Sequence, residues 1–342
     1  MAPVSSTMSE DAQGHFDLKS MIFSLVTPFM LKAVVLLGIP EMISKAGPLS
    51  LKQIVSRLSN VKHIQPDLLE RILQFLVHKR ALSEKIDEKD GETYYGLTPI
   101  SKWLAEEHHL LLLCTHEYGM AAFQKVNEAV LDGGHAYELA NKCRVWEHDP
   151  GHGDEYVKLL NDAMVAWSSV TISLVLEHYD GFKDVKKLVD VGGGLGMCMG
   201  KIVKKYPHIE GVNFDLPHTV SSAPAFPGVA HVGGNMFESV PSADALLIKS
   251  VMINFSDEDC LKMLANCYKA LPRGGKLIVI ELIYSKEGPF EMDLDMIMIG
   301  FTDGGKTRRF EEHKALLENS GFGNVSLVAV PSKEQVIEAY KL

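Results

Sequence analysis

A run of glycines followed by an aspartate carries the clearest chemical signal in this sequence. Gly192–Gly194 follow the apolar run Leu188–Val191, and Gly196 comes two residues later. Glycine lets the backbone turn sharply and approach a ligand closely. Asp215 ends the next apolar run about 20 residues on, where a carboxylate can accept hydrogen bonds from ribose hydroxyls. These residues predict a site for a nucleoside-type ligand.

The spacing of these glycines narrows the class of ligand that the loop can bind. They read G-x-G-x-G, which differs from the G-x-G-x-x-G of dinucleotide sites and makes a nicotinamide ligand less favoured. A glycine loop can also be a packing turn, and Asp215 could cap a helix ahead of Leu216-Pro217. The order of strand, glycine loop and acid favours the ligand role.

The elements that must position this loop alternate between strands and helices. After Lys187, short apolar strand patterns alternate with helical patterns such as Met197–Tyr206 and Cys260–Ala270. Such alternation predicts an α/β domain with a Rossmann-like, parallel-rich sheet covered on both faces. We assign this domain to residues 151–342.

The first half of the chain reads as mainly helical. Helical patterns cover Phe23–Ile43 and Asp67–His78, and Ser50 is the predicted cap of a helix between them. A β-hairpin formed by Ala81–Ile86 and Thr93–Leu97 follows. This layout predicts a winged-helix-like domain over residues 19–150 with a packing or dimerisation role. Residues 1–18 are Ser-rich and polar and are interpreted as a flexible tail.

Composition excludes several other classes of protein. The 342 residues carry a net charge of −10 with pI 5.8, and no dense basic cluster indicates nucleic-acid binding. The five cysteines are widely spaced without C-x-x-C pairs, which favours reduced thiols and no metal site. The apolar stretch Met21–Ile39 is broken by Pro28 and Lys32, so we expect no membrane span and a cytoplasmic protein.

Several motifs together resemble the plant caffeate-type O-methyltransferases, from about residue 20 to the end. The matching segments are Tyr94–Thr98, Val130–Gly134, Leu188–Gly196, Asn213–His218, His231–Phe237 and Asn266–Pro272. The resemblance implies a site for S-adenosyl-L-methionine, a small aromatic acceptor and a homodimer, with a heterodimer with a related methyltransferase as the alternative. Residues 110–130, 160–170 and 290–303 are expected to shape the acceptor pocket.

The resemblance also assigns the cofactor-binding residues. They would be Gly192, Gly194, Asp215, Leu216, Asn235, Met236, Lys249 and Phe255. The family usually has Asp where Asn235 stands and Trp where Phe255 stands. An Asn still accepts hydrogen bonds through its carbonyl oxygen and also donates. Met236 and Phe255 could instead be core residues, and Lys249 a surface charge.

The family's catalytic base is missing. Ile253 stands where the family has a histidine that takes the phenol proton, a role that contributes on the order of 10²–10⁴ in rate. Of the two glutamates that flank that histidine, Glu281 is retained and Thr307 replaces the other. His116 is the first candidate for a substitute base, although a lone histidine in a helical stretch is more often structural.

Three functions remain open from the sequence. The favoured one is methyl transfer that is base-independent or directed at nitrogen, since an uncharged aromatic amine needs no prior deprotonation. The second is a cyclase-, isomerase- or pericyclase-like enzyme that retains the cofactor in an apolar cavity. The third is a catalytically silent dimer partner of an active relative.

Overall fold

The computed structural model describes residues 8–58, 63–147, 150–285 and 288–342, with the backbone alone over 150–154. Within these ranges the chain divides into two compact units, the first ending at Thr115 and the second beginning at His116. All of the cofactor-binding and catalytic residues predicted from the sequence lie in the second unit.

The first unit joins short helices to a small antiparallel sheet of order β1-β3-β2. Ser50 and Gln53 form a reciprocal capping box that fixes the start of α4. The predicted hairpin is confirmed, with Leu82 paired to Leu97 and Ile86 to Thr93. The elements are α1 (Glu10–Phe23), α2 (Val26–Leu36), α3 (Ile39–Ala46), β1 (Leu49–Ser50), α4 (Leu51–Arg57), α5 (Pro66–His78), β2 (Leu82–Ile86), β3 (Thr93–Leu97), α6 (Pro99–Glu106) and α7 (His109–Cys114).

The N-terminal region differs from its prediction in two respects. Residues 1–7 of the predicted flexible tail lie outside the described residues, but the chain is helical from Glu10, where Ser9 caps α1. The helix predicted over Phe23–Ile43 is broken twice, and Gly38 at φ +68° turns the chain into α3. Helix α1 buries none of its residues, so its apolar side chains are exposed.

The second unit is built on a seven-stranded sheet of order β6-β5-β4-β7-β8-β10-β9 within the described residues. β4, β5, β6, β7 and β8 are parallel neighbours, whereas β10 runs antiparallel to both β8 and β9. The strands are β4 (Lys187–Val191), β5 (Glu210–Asp215), β6 (Val229–Gly233), β7 (Ala245–Lys249), β8 (Lys276–Leu282), β9 (Phe322–Val328) and β10 (Glu334–Lys341). The predicted Rossmann-like sheet is thereby confirmed.

Helices cover both faces of this sheet and create two apolar layers. One layer packs α14 and α16 on the sheet, and the other packs α11 and α12 on it. The helices are α8 (Glu117–Phe123), α9 (Val126–Asp132), α10 (Ala136–Asn141), α11 (Pro150–His178), α12 (Met197–Lys205), α13 (Pro217–Ser221), α14 (Asp257–Ala270), α15 (Pro289–Phe301) and α16 (Phe310–Asn319), with 3₁₀ turns at Val145–Glu147 and Met252–Asn254.

The division between the units falls earlier than the boundary drawn at residue 150. Residues 116–147 belong with the second unit because α8 and α10 pack on each other and on α15. The sequence pattern placed these helices with the first half because helical periodicity alone does not show which core a helix faces.

Two helical stretches of the described chain are long and apolar enough to cross a membrane by length and composition. The first, Glu10–Leu36, is interrupted between Phe23 and Val26. The second, Glu155–His178, contributes Ile172, Val175 and Leu176 to a buried apolar layer of the second unit. Core helices of globular proteins commonly meet the same criteria.

Candidate functional site

The glycine loop after β4 has the tight geometry that its sequence predicts. Gly192 lies at φ +75°, and a Cβ there would come within 2.8 Å of Val251 Cγ2. Gly194 lies at φ +58° with open space where a Cβ would stand. Gly196 at φ +81° then begins α12. The loop therefore needs glycine for its backbone angles, and Gly194 leaves room for a ligand beside the backbone.

Asp215 ties the end of β5 to this loop. Its Oδ2 accepts a hydrogen bond of 2.7 Å from the Gly194 amide, and its Oδ1 accepts one of 2.7 Å from the Leu216 amide. Burial raises the pKa of Asp215, although these two amides oppose the rise. The carboxylate thus has a local capping role and also faces the cavity beside the loop.

A cavity of about 430 Å³ opens over the loop, a volume within the range typical of small-molecule sites. Its described lining comes from the second unit. The lining contains every predicted cofactor residue: Gly192, Gly194, Asp215, Leu216, Asn235, Met236, Lys249 and Phe255. The structure therefore brings this whole set together around one space.

A buried carboxylate at the floor of the cavity was not singled out from the sequence. Asp190 is 1% exposed, and its Oδ2 has no hydrogen-bond partner among the described residues. Burial raises its pKa to about 7, with Lys249 opposing the rise and Asp215 adding to it. A buried polar atom without a partner is costly, so a ligand that donates a hydrogen bond here would relieve that cost.

The far wall of the cofactor region is apolar and aromatic. Phe255 packs edge-on against Phe237, with ring centroids 5.2 Å apart. Met236 and Phe255 both pack against the buried core and also line the cavity. Each can therefore be a core residue and a ligand contact at the same time. Asn235 accepts from the Phe237 amide at 3.0 Å and donates to Glu238 at 3.2 Å.

Lys249 is not a surface charge. Its side chain is 3% exposed, and its ammonium donates to both carboxylate oxygens of Glu334, at 3.1 and 3.2 Å, and to Ser250 Oγ at 2.9 Å. Ser250 and Trp167 also donate to Glu334. Sequence reasoning missed Glu334, because its position far along the chain gives no sign that β10 returns beside β8, one strand away from β7.

The position of the absent base stands between residues that line the cavity, namely Val251 before it and Asn254 and Phe255 after it. Ile253 is 8% exposed and stands in the 3₁₀ turn Met252–Asn254. Glu281 accepts backbone hydrogen bonds from Met252 at 2.7 Å and from Ile253 at 3.4 Å. Burial, with a contribution from Glu334, raises the pKa of Glu281 to about 8. Glu281 therefore holds the backbone of the turn that carries Ile253.

Arg308 holds the other side of the same turn. It is 1% exposed and donates hydrogen bonds of 2.7 Å to the carbonyls of Met252 and Phe255. Its Nε also donates to Asp257 at 2.9 Å. The turn that carries Ile253 is thus fixed by a buried cation on one side and a buried carboxyl group on the other.

The remaining two predicted catalytic positions are engaged elsewhere. Thr307 donates to Asp295 Oδ1 from its amide at 2.7 Å and from its hydroxyl at 2.9 Å. His116 caps α8 by accepting from the Tyr118 amide at 3.3 Å, and its ring packs against Tyr118 and Tyr156. The described lining of the cavity includes none of Ile253, Glu281, Thr307 and His116.

Two of the three ranges expected to shape the acceptor pocket contribute to the lining. Residues 301–303 line the cavity, and no residue of 110–130 is in its described lining. From 160–168 the lining takes Leu160, Asn161, Met164, Val165, Trp167 and Ser168. Residues 144–147 also line it. They were missed because a short polar segment between helices has no periodic pattern to indicate which way it faces.

Comparison with known proteins identifies the family of this chain. The O-methyltransferase domain family matches residues 123–323, and the O-methyltransferase dimerisation domain family matches residues 20–107. Similar relatives include (R,S)-reticuline 7-O-methyltransferase of Papaver somniferum, 36% identical over 98% of this chain and 99% of that protein. Anthranilate N-methyltransferase of Ruta graveolens is 33% identical over 97% of this chain and 95% of that protein.

A solved structure shares the fold along the whole chain. Human N-acetylserotonin methyltransferase in complex with SAM superposes with a TM-score of 0.84 at 20% identity, covering 98% of this chain and 99% of that one. The family matches and the full-length relatives together establish that this chain belongs to the plant O-methyltransferase family and carries that family's dimerisation domain.

Proposed function

We propose that this chain transfers a methyl group from S-adenosylmethionine to a small aromatic acceptor, either a phenolic or an alkaloid. The observation that carries the proposal is the glycine cradle Gly192–Gly194 beside Asp215, facing a cavity in a chain of this family. The similar relatives include both an O- and an N-methyltransferase, which supports either an oxygen or a nitrogen as the acceptor atom.

The residues around the cavity suit the nucleoside part of this cofactor. Asp215 would accept hydrogen bonds from the ribose hydroxyls, next to the close backbone approach at Gly192 and Gly194. Leu216, Met236 and Phe255 would enclose the adenine with apolar surface. Asp190 Oδ2, which is buried without a partner, would accept a hydrogen bond from a donor group of the cofactor.

Lys249 supports the cofactor region through its pairing. A free ammonium in the cavity wall would repel a cationic sulfonium. Because Glu334 takes two of the lysine's donors and Ser250 the third, the charge of Lys249 is balanced where it lies. The side-chain oxygen of Asn235 has two lone pairs, and the Phe237 amide uses one of them. The second lone pair could accept a hydrogen bond from the adenine.

The transfer proceeds without the family's imidazole. The cofactor supplies an electrophilic methyl group on a sulfonium. An uncharged aromatic amine has a lone pair ready, and an acidified phenol is already ionised, so neither acceptor needs proton removal by Ile253. Proximity and orientation in the cavity can supply about 7–11 kcal/mol of the barrier, and the chain's contribution is to bind, orient and exclude water.

Calorimetry and product analysis test this proposal. S-adenosylhomocysteine is titrated into the wild-type protein and into Asp215→Asn, with Glu258→Gln on the exposed face of α14 as the control of equal charge change. We expect a roughly tenfold or greater loss of affinity in Asp215→Asn and none in the control. Labelled cofactor with a panel of phenols and aromatic amines should yield labelled product; a folded protein that binds no S-adenosylhomocysteine would contradict the proposal.

Restoring the base separately tests the base-free chemistry. Ile253→His alone is expected to raise phenol methylation less than about tenfold, because Glu281 is bonded to the turn's backbone and Thr307 has replaced the second glutamate. The double variant Ile253→His/Thr307→Glu is expected to gain more, toward the order of 10² that a positioned base contributes. A full gain from the single variant would show that base loss was the main barrier.

We also propose that the protein works as a homodimer in the cytoplasm, without nucleic-acid or membrane partners. The dimerisation domain and the exposed apolar side chains of α1, among them Phe16, Met21 and Phe23, support the dimer. Light scattering of the purified chain should give twice its 37.8 kDa mass. A monomer that assembles only when mixed with an active relative would favour the heterodimer instead.

A further inference from the structure

A carboxylate outside the predicted cofactor residues also lines the cavity. Asp303, just after α15, lines the cavity next to Arg144, Trp146 and Glu147. Its Oδ2 lies 2.7 Å from Arg144 Nε, and its Oδ1 lies 3.7 Å from His135 Nδ1. One oxygen is therefore held by a guanidinium, while the other is beyond hydrogen-bond distance of the imidazole.

The backbone fixes where this carboxylate stands. Asp303 and Gly304 form isolated bridges with Phe255, so Asp303 is anchored to the aromatic wall of the cofactor region. The side chain of Asp303 is 17% exposed, against 53% for that of Arg144. The carboxylate is thus a recessed group on a held backbone, and the arginine reaches it from the more open side.

The pairing determines what Arg144 can do. A guanidinium is a good partner for carboxylates because its donors match two oxygens at once. Here Asp303 already takes the Nε donor at 2.7 Å, and Glu147 lies nearby in the same lining. An acceptor carrying a carboxylate would have to compete with Asp303 for the arginine and would face two like charges.

The charged residues that line the cavity also favour a cationic acceptor over an anionic one. Its described lining contains five acidic side chains, namely Glu147, Asp190, Asp215, Asp259 and Asp303, and the two cationic residues Arg144 and Lys249. Lys249 is already paired with Glu334. A recessed carboxylate in a water-poor site binds a cationic donor more strongly than a neutral one.

We propose that Asp303 is a specificity-determining anchor that binds an ammonium group of an aromatic amine acceptor and that, by occupying Arg144, excludes aromatic carboxylates. This proposal rests on the proposed function and narrows its acceptor class to basic alkaloid-type molecules. The anchored ammonium is separate from the atom that accepts the methyl group. Oδ1 accepts a hydrogen bond from the ammonium while Oδ2 stays with Arg144.

Three indoles that differ in the terminal group of a two-carbon side chain test the proposal: tryptamine ends in a cationic ammonium, 3-ethylindole carries no charged group and indole-3-propionate ends in an anionic carboxylate. Calorimetry measures each with the wild-type protein and with Asp303→Asn, with and without S-adenosylhomocysteine. The wild-type protein is expected to bind tryptamine at least roughly tenfold more tightly than indole-3-propionate, which corresponds to about 1.4 kcal/mol.

The variant should invert this order. Asp303→Asn is expected to weaken tryptamine binding roughly tenfold or more, to tighten indole-3-propionate binding because Arg144 is released, and to change 3-ethylindole binding less than about threefold. A merely structural role for Asp303 would weaken all three probes together. Glu258→Gln, which removes an exposed charge outside the cavity lining, controls for net charge and should leave the order unchanged.

The outcomes separate the two proposals. Equal wild-type affinity for tryptamine and indole-3-propionate, or a variant that keeps the wild-type order, would overturn the role of Asp303. Unchanged affinity for S-adenosylhomocysteine in Asp303→Asn shows that the variant is folded. Loss of S-adenosylhomocysteine binding in the wild-type protein itself would instead refute the proposed function, while the order of the three indoles can still be measured without it.

Discussion

Replacing Glu281 with glutamine should change how the stability of the protein depends on pH. Glu281 is 1% exposed, and burial raises its pKa to about 8 from the ordinary 4.5. Between these two values the folded state retains a proton that the unfolded state has lost. The free energy of unfolding contributed by this group is therefore complete below pH 4.5 and is lost as the pH rises through 8.

The size of the effect follows from the linkage relation. Across this interval, each rise of one pH unit lowers the free energy of unfolding by about 1.36 kcal/mol for a single group of this kind. From pH 5 to 8 the wild-type protein should lose on the order of 4 kcal/mol relative to Glu281→Gln. The amide oxygen of the glutamine can still accept the hydrogen bonds from Met252 and Ile253, so the 3₁₀ turn is retained.

Urea unfolding at pH 5, 6, 7 and 8 measures the difference between the two proteins. Taking the difference removes the other titrating groups, such as Asp190, which both proteins share. Glu338→Gln is the control: hydrogen bonds from Tyr179 and Lys276 outweigh burial and lower the pKa of Glu338 below 4.5, so its difference from wild type should be constant over this range. A constant difference for Glu281→Gln as well would refute a protonated, buried Glu281.

Three further predictions concern the framework of the site. Arg308→Met should lower the free energy of unfolding by about 2–4 kcal/mol, as measured by urea unfolding, because the carbonyls of Met252 and Phe255 lose the guanidinium, whereas the half-exposed Asp257 keeps Lys306; a loss under about 1 kcal/mol would contradict this. Gly192→Ala should weaken S-adenosylhomocysteine binding in calorimetry, since its Cβ would meet Val251 at 2.8 Å in a left-handed backbone; wild-type affinity would count against the cradle. His313→Gln should reduce the loss of stability between pH 6.5 and 4, because burial lowers the pKa of His313 to about 4 and the folded state resists taking up that proton; acid titrations that superpose for the two proteins would disprove it.

The Rossmann-like core was predictable because its signals are local. The runs ending at Val191 and Asp215 are apolar and short, and the glycines between strand and helix mark the ligand loop. The structure puts both where the sequence predicted, and the predicted cofactor residues all line one cavity. Strands β6, β9 and β10 were not predicted, and three of the seven residues of β9 are exposed, which weakens its pattern.

The acceptor side of the site depends on contacts that no local pattern reveals. Asp303 and Arg144 are far apart in the chain, and only the packing of α8 and α10 on α15 brings them together. Glu334 meets Lys249 for a similar reason, through the return of β10 along β8. His116 was proposed as a base from its sequence position alone, and its placement as a helix cap depends on the Tyr118 amide.

The contacts around the 3₁₀ turn limit how this turn can be re-engineered. A histidine introduced at residue 253 would find Glu281 committed to backbone amides and, at residue 307, a threonine bound to Asp295. A single substitution therefore does not rebuild a histidine with two carboxylate neighbours, and a designer would have to change the contacts of all three positions together.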